Sequence, residues 1–254
     1  MIKLVVLDLD GTLLDPSGLI DPYTCTVLEK ITRDGVVITI ATGRPFQRTL
    51  LPLRENQVYP GSTFPQFLIC EERDIYELQS GEYYPQLENS ELHSQEVKLL
   101  PISHQLLSRL TEIAPSLEFA VNNSYSQQTR GFLELYFVTR TEAEEAVRIL
   151  VDLSRATPLK VVRNGRNVCL RAKSSGKGEA LVRLARMMKL ELSEIVAVGD
   201  SHNDLAMLTC GVRPATTANA DEEIRAAVAR QGGYVAAASH SRGVGEILKH
   251  LVCL

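Results

Sequence analysis

Four short apolar runs, Lys3 to Leu9, Val36 to Ala41, Phe67 to Cys70 and Ile195 to Val198, most narrow what this chain can fold into. They are rich in β-branched residues, and no run alternates cleanly between apolar and polar, which is the pattern of strands covered on both faces. Between them, Pro22 to Asp34, Lys177 to Lys189 and Ala220 to Arg230 repeat apolar residues near helical spacing. The two ends of the chain therefore read as βαβ units of one α/β domain with a doubly wound, Rossmann-like parallel sheet. Right-handed crossovers then place helices on both faces.

The middle follows another order. From about Leu78 to Arg171 the patterns give a helix (Ile102 to Ala114), strands (Leu117 to Val121 and Phe132 to Val138), a helix (Glu142 to Ala156) and strands near Leu159 to Arg163 and Asn167 to Leu170. This predicts an α+β domain inserted into the α/β core. The expected division is 1–78 and 172–254 for the core and 79–171 for the insertion. At about 150 residues per domain, a chain of 254 residues accommodates both.

Composition excludes several classes. With 27 basic and 31 acidic residues the net charge is -4, which removes the broad positive field of a non-specific nucleic-acid binder. No run approaches the ~20 apolar residues that span a bilayer. The first residues run straight into Lys3-Leu4-Val5-Val6-Leu7-Asp8 with no leader pattern, so a cytoplasmic protein without nucleic-acid or membrane partners is expected. Cys25, Cys70, Cys169, Cys210 and Cys253 lie far apart and form no Cys-x-x-Cys pair, so they read as reduced thiols rather than zinc ligands or a disulfide framework.

The first chemical signal is Asp8-Leu9-Asp10-Gly11-Thr12, at the end of the first predicted strand. A side-chain period of two would project Asp8 and Asp10 to the same side, at the strand end where ligands bind in open α/β sheets. Two such carboxylates repel unless they share a cation, and Mg2+ prefers oxygen ligands. Next, Thr42-Gly43-Arg44 follows the second apolar run and offers a hydroxyl, an amide and a charge to an anion. Third, Ser174-Ser175-Gly176-Lys177-Gly178 opens a helix with a lysine suited to phosphate, although the spacing does not satisfy a P-loop. Fourth, Gly199-Asp200-Ser201-His202-Asn203-Asp204 follows the last run, and a turn there returns Asn203 and Asp204 towards Asp200.

Taken singly, each has an ordinary structural reading. Asp-x-Asp-Gly can be a solvated strand end, Thr-Gly-Arg a surface turn, Lys177 a first-turn lysine, Asp204 a helix N-cap and His202 a turn histidine. Their order along one sheet edge decides between these readings. Together they make the chain resemble the haloacid dehalogenase-like phosphatases, specifically the Cof-type branch, whose cap domain lies between the second and third motifs. The resemblance spans nearly the whole chain. It departs at Glu71-Glu72-Arg73, where the family usually has an Asn-Gly turn, and at Thr216-Thr217-Ala218-Asn219-Ala220, where Met-Gly-Asn-Ala is usual.

The resemblance implies that Asp8 is the nucleophile and Asp10 the general acid and base. It implies that Leu9, Thr42, Gly43, Arg44, Lys177 and Asn203 bind the substrate phosphate, and that Asp8, Asp10, Asp200 and Asp204 hold Mg2+. The expected activity is hydrolysis of a small phosphorylated metabolite, such as a sugar phosphate, through an aspartyl phosphate in a monomer or homodimer. The cap is expected to select the leaving group, with Asn122, Asn123, Arg130, Arg163, Asn164 and Arg166 as its polar candidates. A phosphomutase is the first alternative, distinguished by its product. A receiver-type signalling module or a non-catalytic phosphate binder fits less well, since a receiver is far shorter and no motif acid is missing here.

Overall fold

The computed structural model describes residues 1–58, 65–121 and 132–252. The chain separates into two compact units, Met1–Gln86 with Gly176–Leu254, and Leu87–Ser175. The first unit begins β1 (Leu4–Asp8), α1 (Pro22–Arg33), β2 (Val37–Ala41), α2 (Phe46–Glu55), β3 (Phe67–Cys70), β4 (Asp74–Gln79) and β5 (Glu82–Pro85). The second contains α3 (Leu87–Ile113), β6 (Phe119–Val121), β7 (Leu133–Phe137), α4 (Arg140–Ser154), β8 (Leu159–Asn164) and β9 (Asn167–Ala172). The first resumes with α5 (Lys177–Met187), β10 (Ile195–Val198), α6 (Leu205–Leu208), β11 (Arg213–Thr216), α7 (Glu222–Arg230), β12 (Tyr234–Val235) and α8 (His240–Leu251).

In the first unit the strand order is β12-β11-β10-β1-β2-β3-β4-β5. All pairings from β12 to β3 are parallel. Both faces of β1 are buried, as its unbroken apolar run requires. Val5 and Leu7 enter one core with Leu28 and Ile31 of α1 and Ile247 and Leu248 of α8, whereas Leu4 and Val6 enter another with Leu181 and Leu184 of α5 and Ile224 of α7. The helices thus cover opposite faces, as expected of a doubly wound sheet.

Beyond β3 the sheet departs from the expected parallel pattern, because β3, β4 and β5 pair antiparallel. Ser80 and Gly81 form the two-residue link between β4 and β5, both at positive φ (52° and 87°), which matches the twist of a hairpin. Residues 79–86, assigned to the insertion from sequence, therefore lie with the core. Tyr83 joins the core cluster that contains Val5 and Leu7.

The second unit is a four-stranded antiparallel sheet, β6-β7-β9-β8, with α3 and α4 contributing to its core. Leu106 and Leu110 of α3 and Ala143, Ala146 and Leu150 of α4 pack with Leu135, Val168 and Leu170 of the sheet. The helix expected to begin at Ile102 instead begins at Leu87 and runs through Pro101. Proline removes one helical donor, but the buried contacts of Leu92 before it and Leu106 and Leu110 after it hold the segment helical. The N-terminus of α4 is closed by a capping box between Thr139 and Glu142, a signal visible in the sequence Thr-x-x-Glu. No helix among the described residues is long and apolar enough to cross a membrane.

Candidate active site

Strand register brings the separated motifs together. Asp8 ends β1 opposite Ala41, so Thr42 follows at the same level, and Leu7 lies opposite Val198, so Gly199 and Asp200 follow beside it. Asp8 has the parity of Leu4 and Val6, whose face is covered by α5. Lys177 is the first residue of that helix. Its Nζ donates to Asp8 Oδ1 at 2.5 Å and to Asp204 Oδ1 at 2.6 Å, and all three residues are buried.

Asp204 performs a second task. Its Oδ2 accepts the main-chain N–H groups of Asp200 and Ser201, both at 3.1 Å, and forms a capping box with Ser201 in the short turn at His202–Asp204. One carboxylate therefore shapes the loop and fixes the lysine. Asp200 is held in turn by the buried Thr12, whose Oγ1 donates to Asp200 Oδ1 at 2.8 Å. One oxygen from each of Asp8, Asp200 and Asp204 lies within 4.8 Å of the others.

Three carboxylates face one ammonium. Burial raises the Asp8 carboxyl above its usual range, with Asp204 and Asp200 adding to that rise and Lys177 opposing it. Burial likewise raises Asp200 above the usual carboxylate range. Burial works against the Lys177 ammonium, but Asp8 and Asp204 outweigh it and hold the lysine charged well beyond its ordinary range. The surplus negative charge and the hard oxygen donors fit a divalent cation.

Asp10 lies elsewhere. The period-two expectation fails because β1 ends at Asp8 and the chain turns through Gly11 at φ 82°. Asp10 is instead held on both oxygens by Arg44, from Nε at 2.8 Å and Nη2 at 2.5 Å, and about half of its side chain is exposed. Arg44 is thus engaged by an acid of the first motif, and Asp10 stands outside the group formed by Asp8, Asp200 and Asp204. The Leu9 side chain is buried in the core, so only its main chain can serve a ligand. Thr42 Oγ1 accepts the Arg44 N–H at 3.1 Å, a bond that leaves the hydroxyl proton for another acceptor. Asn203 donates from Nδ2 to Glu72 Oε1 at 3.3 Å, and His202 is exposed in its turn.

Several contributors did not stand out as site residues in the sequence. Asn219 Nδ2 donates to Gly11 O at 2.9 Å and His240 Nδ1 lies 3.0 Å from the same oxygen, so both brace the turn after Asp10. Asn219 sits in the segment that departs from the family pattern, which retains the asparagine. Thr12 was within the first motif, but its partner is 188 residues away. Among the cap candidates, Asn122, Asn123 and Arg130 lie outside the described residues, as does the Asn164 side chain. Arg163 Nη1 donates to Gly165 O at 2.9 Å and Arg166 Nη1 to Val138 O at 3.0 Å, so both are engaged within their own unit.

Gly11 is needed for space as well as for its positive φ. A Cβ there would approach Asp200 Oδ2 to 2.5 Å. Gly11→Ala is expected to cost about 1–2 kcal/mol from the backbone alone. By displacing Asp200 it should also weaken divalent-cation binding about tenfold. Thermal melts titrated with Mg2+ measure both effects, and an unchanged cation dependence would contradict the placement of Asp200.

Solved structures with this architecture include haloacid dehalogenase-like hydrolases, among them one from B. subtilis that aligns with a TM-score of 0.70 at 21% identity, covering 99% of this chain and 100% of that one. At that identity the likeness shows the fold the two chains share. More closely, the chain belongs to the sucrose-6F-phosphate phosphohydrolase family, whose model matches residues 1–252. A phosphoglycolate phosphatase from Thermoplasma volcanium is 26% identical over 252 residues, 98% of each chain. The sucrose-phosphatase from Synechocystis sp. PCC6803, solved with sucrose and phosphate, aligns with a TM-score of 0.72 at 19% identity over 98% of each chain.

Proposed function

We propose that this phosphatase hydrolyses a small phosphorylated metabolite, most simply a sugar phosphate, through an aspartyl phosphate with Mg2+ as cofactor. The observation that carries this reading is the Asp8–Lys177–Asp204 cluster beside Asp200, with Thr42 at the next strand end. An Asp8 oxygen attacks phosphorus as the bond to the leaving oxygen breaks, and Asp10 gives its proton to that oxygen. Water then attacks the aspartyl phosphate, passes a proton to Asp10, and the Asp8 carboxylate is restored with release of inorganic phosphate. Lys177, the Thr42 hydroxyl and main-chain amides of the first two motifs hold the transferring oxygens.

Asp8 and Asp200 are the residues best suited to hold Mg2+, since one oxygen of Asp204 serves Lys177 and the other the turn. Bound there, the ion would offset the surplus carboxylate charge and draw electron density from the phosphoryl oxygens. For Asp10 to reach the leaving oxygen, its pair with Arg44 must open or rotate. The sugar-phosphate assignment is supported by the family description and by the sucrose bound to the Synechocystis enzyme. A cytoplasmic setting belongs to the same reading, supported by Cys25, Cys70, Cys169 and Cys210, which form no disulfide among the described residues.

Phosphate release from a panel of sugar phosphates, nucleotides and an aryl phosphate, with Mg2+ and with a chelator, tests this directly. Release of inorganic phosphate that falls at least about a hundredfold on chelation is expected. Chelator-insensitive release would remove the metal from the mechanism. An isomerised sugar phosphate as the product would replace hydrolysis with a mutase reaction.

A further inference from the structure

The turn joining β3 to β4 carries an acid into the site. Glu71 and Glu72 both stand at positive φ, 52° and 63°, a backbone region that L residues other than asparagine and aspartate rarely enter. The turn is stapled to the second motif, with Glu71 N donating to Arg44 O at 3.0 Å and Glu72 N to Thr42 O at 2.9 Å. These bonds bring the Glu72 side chain against Gly43, where a Cβ would lie 3.6 Å from Glu72 Oε1. The same oxygen accepts from Asn203 Nδ2 at 3.3 Å. Its charge also reaches Lys177, where it helps hold the ammonium protonated.

An Asn-Gly pair, usual at this turn in the resembling family, would adopt these angles at little cost, whereas two glutamates adopt them against strain. Strained backbone that places a carboxylate between two predicted phosphate-binding segments points to a use for that side chain. We propose that Glu72 is a specificity-determining residue, whose fixed negative charge disfavours substrates with an anionic leaving group and favours neutral, hydroxyl-bearing ones. This rests on the phosphatase reading above and narrows its substrate class. A carboxylate on the leaving group would meet Glu72 in a partly dehydrated site, where like charges repel more strongly than in water. A hydroxyl there would donate to it.

The test compares 2-phosphoglycolate with 2-hydroxyethyl phosphate, which are of similar size and differ in the terminal carboxylate or hydroxyl, with an aryl phosphate as reference. Wild type is expected to prefer 2-hydroxyethyl phosphate in kcat/KM. Glu72→Gln should shift the ratio about tenfold towards 2-phosphoglycolate, and Glu72→Asn, which suits the positive φ, should shift it in the same direction. Raising ionic strength should narrow the wild-type preference and leave that of the variants nearly unchanged, a response that a purely structural role would not produce. A ratio unchanged in both variants, with wild type active on the aryl phosphate, overturns the role of Glu72 and leaves the phosphatase reading intact. No release from any of the three by wild type with Mg2+ overturns both.

Discussion

Asp8→Asn is expected to yield a folded protein whose phosphatase activity has fallen by roughly 10^4-fold or more, the scale on which loss of a covalent nucleophile acts. The amide keeps the shape of the carboxylate at the end of β1 but lacks the charged oxygen that attacks phosphorus. The substitution also removes one negative charge from a group in which three carboxylates face Lys177. Folding should therefore survive, since Lys177 keeps its ion pair with Asp204 at 2.6 Å. Steady-state phosphate release, with melting temperature and circular dichroism as controls, decides the matter. Activity within tenfold of wild type in a folded variant would falsify the nucleophile assignment.

Lys177→Met should have the largest combined effect on stability and turnover. The ammonium is fully buried and bonded to Asp8 and Asp204, so its loss leaves two buried carboxylates without their shared cation. Removing one partner from a buried ionic group costs about 3–5 kcal/mol. In a chain of this size that corresponds to a fall of about 10 °C in Tm, together with loss of catalysis. Because the deficit is electrostatic, adding Asp8→Asn to Lys177→Met should recover part of the lost stability without restoring activity. Additive destabilisation in the double variant would show that Lys177 acts through packing instead.

The class of the core was legible because buried parallel strands need continuous apolar runs, and Phe67 to Cys70 and Ile195 to Val198 match the observed strands end to end. The β4–β5 hairpin was less legible, since its residues are only partly apolar and one side is exposed. The long α3 was hidden by Pro101, a residue that ends most helices but is tolerated here by the contacts on either side of it.

For the site, the order of the motifs and the family resemblance singled out Asp8, Thr42, Lys177, Asp200 and Asp204, and the structure brings Asp8, Lys177, Asp200 and Asp204 together. Only the tertiary structure decided the partners. Asp10 belongs with Arg44, Thr12 with Asp200, Asn219 and His240 with the Gly11 carbonyl, and Glu72 with Asn203. These are contacts between segments far apart in the chain, set by strand register and by turns at positive φ. Local periodicity carries no information about which distant side chain will stand opposite.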